Sequence, residues 1–167
     1  MAQQFYTYGN LIRGIRDTAL KSPWFKSVYT NTFDLKSDMH INYPVLCITP
    51  LDGTIAEEGN AKSYYITYNI NLLYAEKMLH PHIAAPSTGR EQDNTLDIHS
   101  RAGVALNSLI NAYTLGLDGA TKGFIFTGAS LTFFMHQMSD ECAGAVMTAS
   151  FKTLLDECSD SEGYEDE

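Results

Sequence analysis

Strict alternation of apolar and polar residues dominates the middle of the chain. Residues 61–76 read AKSYYITYNINLLYAE, with Tyr64, Ile66, Tyr68, Ile70, Leu72 and Tyr74 on one parity. Ser63, Tyr65, Thr67, Asn69, Asn71 and Leu73 occupy the other. A period of two, carried by aromatic and β-branched residues, predicts a strand with one apolar face and one mostly polar face. At about 3.3 Å per residue such a strand spans roughly 50 Å. A compact chain of 167 residues is roughly 40 Å across. The strand therefore curls strongly or runs past its own core, which suits a subunit of an assembly.

Helical and extended patterns flank it. Phe5, Tyr8, Leu11, Ile12, Ile15 and Ala19 recur at helical spacing, so residues 5–21 are expected to form a first helix, ended by Pro23. A connector follows, anchored by Trp24, Phe25, Val28, Phe33, Leu35 and Met39. Residues 43–49 (YPVLCIT) read as a short strand entered through Pro44 and stopped by Pro50 and an Asp52-Gly53 turn. Residues 79–94, with two prolines and a glycine, are expected to form a long loop, of the kind that is usually functional or disordered. Ile98, Ala102, Leu106, Leu109, Ile110 and Tyr113 then mark a second helix over 95–115, with Asp93 or Asn94 as its N-cap. Strands over 124–135 and 143–155 close the chain as a hairpin. The order α–β–β–α–β–β implies an α+β fold: a mostly antiparallel β-sheet with long strands packed against two main helices.

Composition adds a boundary. Seven of the chain's 20 acids follow Leu155 with no base among them, leaving 13 acids against 11 bases before it. The net charge of −9 therefore belongs largely to a tail. Residues 1–155 are expected to form a single domain, and 156–167 an acidic, disordered end that favours solubility. The bases are scattered; Arg13, Arg16 and Lys21 form one local set, suited to an acidic neighbour. Nothing resembles the clustered basic surface that grips nucleic acid. No apolar run reaches the ~20 residues of a membrane span. MAQQFYTYGN lacks the basic start and apolar block of a secretory signal, so the chain is expected to be made in a cytoplasm.

Candidate chemistry is sparse. Cys47, Cys142 and Cys158 form no CxxC pair and read as reduced thiols. His80-Pro81-His82 could offer two imidazoles to one ion, but no nearby pattern completes a ligand set. Ser130 lies mid-strand without a GxSxG turn, and no phosphate-binding glycine loop is present. Asp93, Asp97 and His99 near a helix start could mimic an acid–base cluster, but ordinary capping explains the two acids better. No catalytic, cofactor-binding or metal-binding residue is assigned, and no cofactor is expected.

The last hairpin, FIFTGASLTFFMHQMSDECAGAVMTASFKTLLDEC, resembles the C-terminal block of small neck and tail-completion proteins of tailed bacteriophages. In that block a strand leads through a polar turn to a small-residue step and a final strand ending near a cysteine. Ser139, Asp140, Ala143, Gly144 and Cys158 stand at those places. The order of elements before it is also similar to the tail-terminator group and to neck-ring proteins of crAss-like phages. The resemblance implies a tail-terminator-like fold and a structural virion protein that is not an enzyme. Its copies would form a homo-oligomeric ring in the phage neck, joining the portal and head to the tail and lining the conduit for viral DNA. Its partners would be itself and the portal or adjacent neck and tail proteins, with no membrane. Tyr65, Asn69, Ile70, Asn71, Ser139 and Asp140 are the expected subunit contacts. His80, His82, Ser87 and Arg90 are the expected contacts with a neighbouring ring or the tail. The alternative is a small cytoplasmic binding or adaptor domain that uses the 79–94 loop.

Overall fold

The computed structural model describes residues 8–31, 40–58, 63–78, 89–115, 123–137 and 142–155. Residues 1–7 and 156–167, and with them the expected acidic tail, lie outside the described residues. The elements run α1 (Tyr8–Leu20), β1 (Ser27–Tyr29), β2 (Val45–Glu58), β3 (Ser63–Lys77), α2 (Gly89–Thr114), β4 (Ile125–Gln137) and β5 (Cys142–Leu155). One five-stranded sheet has the order β1-β2-β3-β5-β4. Among the described residues the β1–β2 pairing is parallel and the other three are antiparallel. The fold is α+β, as the periodicity implies.

Four strands of 13 to 15 residues make the sheet long in the strand direction. The even parity of β3 faces the helices. Ile70, Leu72 and Tyr74 join Leu46 and Ile48 of β2 and Ala145, Met147, Ala149 and Phe151 of β5 in one core. Leu11, Ile15 and Ala19 of α1 and Ala102, Ala105, Leu106, Leu109, Ile110 and Tyr113 of α2 cover it. Both helices are amphipathic, and removing such a stripe from water is what holds them to the sheet. The opposite face carries a second, smaller apolar cluster at one end. There Val45, Cys47, Ala75, Phe134 and Cys142 are buried against Tyr29, Ile41 and Tyr43.

Gly144 marks a close approach between the two central strands. A Cβ there would run into the Tyr74 carbonyl oxygen on β3, so no larger residue fits without parting β3 from β5. The Ala143-Gly144 step of the sequence is thus a packing requirement.

Three expectations need correction. The second strand does not stop at Thr49: β2 runs through Pro50 and Gly53 to Glu58, with an irregularity between Pro50 and Asp52. Proline is tolerated at a sheet edge because its missing N–H removes no ladder bond there. Among the described residues no strand pairs with the outer edge of β2 beyond Cys47. The second helix begins at Gly89, not 95, so residues 89–94 of the expected loop are helical and Asp93 and Asn94 lie inside the helix rather than capping it. Arg90, Glu91 and Gln92 are good helix formers, and only the segment before Gly89 carries the prolines. Finally, Ser27–Tyr29, read as connector, adds a short parallel strand to the sheet.

Candidate functional site

The odd parity of β3 faces away from the helices. Beyond the apolar end it forms a polar surface with its neighbours. Asn69 Nδ2 donates to Asp52 Oδ1 of β2 at 2.6 Å. Ser150 Oγ of β5 donates to Asn69 Oδ1 at 2.5 Å. Thr148 Oγ1 donates to Asn71 Oδ1 at 2.8 Å. The Lys152 ammonium sits 3.8 Å from the centroid of the Tyr65 ring. Polar cross-strand pairs of this kind fix register at a face too polar to act as a core.

Tyr65, Asn69 and Asn71 therefore do come together on one face, but their side chains bind residues of their own chain. Ile70 does not join them. Its side chain is fully buried in the helix-side core, because neighbouring residues in a strand point to opposite faces. Nor can β3 offer an open edge to another subunit, since β2 and β5 pair with it along nearly its whole length. Of the remaining candidates, Ser139, Asp140, His80, His82 and Ser87 lie outside the described residues, and Arg90 is placed only as part of the first turn of α2.

Among the described residues the open edges belong to β4 and to the part of β2 beyond Cys47. Residues 51–57 of β2 are all exposed, with Ile55 at 66%. Along β4, residues 129–133 are exposed, with Phe133 at 50%. Neither edge carries a Lys or Arg, a common means by which proteins keep strand edges from pairing. Sequence reasoning missed the β2 edge because Pro50 and Asp52-Gly53 imitate a turn. The last hairpin is expected to contribute an edge, but alternation does not reveal that β4, rather than β5, lies outermost.

Other polar groups hold the helices in place. Arg101 of α2 grips Glu76 of β3 through Nε to Oε2 at 3.0 Å and Nη2 to Oε1 at 2.8 Å. Tyr74 Oη donates to Glu76 Oε2 at 2.8 Å. The hydrogen bond to Glu76 raises the Arg101 pKa further above its ordinary range. His99 Nε2 donates to the Phe134 carbonyl at 2.9 Å, and its ring lies 5.1 Å from that of Phe133, tying α2 to β4. That bond gives His99 a structural task. Among the described residues no three His, Cys, Asp or Glu side chains are grouped to hold a metal.

A groove of about 290 Å³ lies between α1 and β2, lined by Tyr8, Ile12, Arg13, Arg16, Thr30 and Pro50 among others. Arg13 binds Asn10 at 3.1 Å and Arg16 binds Asp17 at 3.1 Å. Both guanidinium groups thus have partners on their own helix.

Three buried phenols set an alkaline limit. Burial raises the pKa of Tyr8, of Tyr74 (with Glu76 adding to the shift) and of Tyr113, the last to about 12 from 10.0. Above pH 10 the unfolded chain releases these protons more readily than the folded chain. The phenols' contribution is thus full below pH 10 and falls as pH rises towards 12, by about 1.4 kcal/mol per pH unit for each proton retained; the Cys47 thiol, which burial raises above 9.0, starts the loss about a unit earlier. Thermal melts between pH 7 and 11.5 should show a midpoint flat to about pH 9, a shallow fall to pH 10 and a steep fall beyond it.

No protein-family model matches the chain, and no curated protein matches it. Among the described residues no helix is long and apolar enough to cross a membrane.

Proposed function

We propose that the protein is a structural component of a tailed-bacteriophage virion, whose copies form a ring in the neck between portal and tail. The observation that carries this reading is the pair of long, exposed, uncharged-to-acidic strand edges on opposite sides of one sheet. A subunit with an unsatisfied edge on each side is suited to head-to-tail association, and such contacts close into a ring when the rotation between copies divides a full turn. The resemblance of the last hairpin to neck and tail-completion proteins supplies the biological setting. A polar, cation-poor sheet surface also suits a conduit, since it offers passing DNA phosphates few partners.

The described polar groups favour architecture over catalysis. Asn69, Asn71, Glu76, His99 and Arg101 are each engaged in holding strands or helices together. Electron microscopy of virions decorated with antibody fragments against this chain tests the proposal. Label is expected at the head–tail junction. Absence of the protein from purified virions would overturn the reading.

A further inference from the structure

We infer that successive copies join by antiparallel pairing of β4 of one subunit with the outer part of β2 of the next. This inference rests on the ring reading above and names the contact that builds it. Strand directions permit it. β2 and β5 run one way, β3 and β4 the other. Placing β2 of a second copy beside β4 therefore continues the antiparallel sheet.

The regular stretches also match in length. β4 is irregular between Phe126 and Gly128 and again between Phe134 and Gln137, which leaves 128–134 regular. β2 is irregular between Pro50 and Asp52, which leaves 52–58 regular. Each stretch is seven residues. The three-residue β1 covers Val45–Cys47, and among the described residues no strand pairs with the outer edge of this part of β2.

Side-chain faces select a register. Gly53 and Ile55 are paired with Tyr68 and Ile66 on the helix side of the sheet. Leu131 and Phe133 are paired with Met147 and Ala145 on that same side. With Ile55 opposite Leu131, Gly53 lies opposite Phe133 and Thr54 opposite Thr132. An aromatic ring over a strand glycine and a Thr–Thr pair are both favourable cross-strand arrangements. The contact would cover Ile55, 66% exposed, and Leu131, 37% exposed. Charge argues against the simplest alternative. Pairing two copies of 52–58 in antiparallel fashion about Ile55 would set Asp52 opposite Glu58, whereas β4 carries no acid to oppose them.

Cysteine cross-linking tests the pairing. In a Cys158→Ser background, full-length protein carrying Thr54→Cys and Thr132→Cys should form a ladder of covalent trimers and larger species on mild oxidation. Either single variant should form none. Ile55→Asp, at an exposed position, should keep the circular dichroism spectrum and raise the concentration for half-assembly by about tenfold or more. Dimers from Thr132→Cys alone would show β4 pairing with itself and overturn the inference. So would an assembled wild-type protein whose double variant gives no ladder, though the ring itself would stand. A wild-type protein that stays monomeric in solution and in virions would remove both.

Discussion

Proline in place of Ile70 should abolish folding. Ile70 sits in the middle of β3, opposite Pro50 on one side and Ala149 on the other. Its side chain is fully buried in the helix-side core. Proline removes a backbone donor, fixes φ and takes away most of the apolar side chain, in a strand with neighbours on both sides. The summed cost is comparable with the whole stability of a domain, about 5–15 kcal/mol. Circular dichroism should show loss of sheet signal, and heating should give no cooperative transition. A variant that melted cooperatively near the wild-type midpoint would refute the central placement of β3.

Phe151→Ala should destabilise without abolishing the fold. Phe151 is fully buried on β5, with its ring 5.6 Å from Tyr113 of α2 and 5.6 Å from Phe126 of β4. It thus binds the second helix and the edge strand to the sheet interior at one point. Truncating a buried Phe costs about 3–5 kcal/mol, part in lost transfer energy and part in the cavity left behind. For a chain of this size the midpoint should fall by roughly 10 °C. A fall of a degree or two would mean that α2 does not rest on Phe151 as described.

These two sites show what was legible in the sequence. The face of Ile70 follows from alternation alone, because residues 64–74 keep one parity apolar without a break. The helix stripes at Leu11, Ile15 and Ala19 and at Leu106, Leu109 and Tyr113 were legible for the same reason. Strand ends were harder. Pro50 and Asp52-Gly53 carry local turn chemistry, yet the long partner β3 supplies enough pairing to carry β2 past them. Gly89 opens a helix because the residues after it favour one, although proline-rich sequence precedes it.

The candidate interface was legible only in kind. Uncommonly long strands pointed to assembly, but the periodicity of one strand says nothing of its neighbours. Sheet order is decided by contacts between distant residues, such as the pairing of Ser150 with Asn69 across 81 positions. That order moved the open edge from β3 to β2 and β4. It also turned the Tyr65, Asn69 and Asn71 side chains towards partners within the chain.

The mass of the assembled protein tests the central claim most directly. Native mass spectrometry of the purified full-length chain, with light scattering over a range of concentrations, should reveal one closed species at a fixed multiple of the 18.5 kDa subunit. The same multiple should be recovered from disrupted virions. A chain that remains at 18.5 kDa in both settings would contradict the ring.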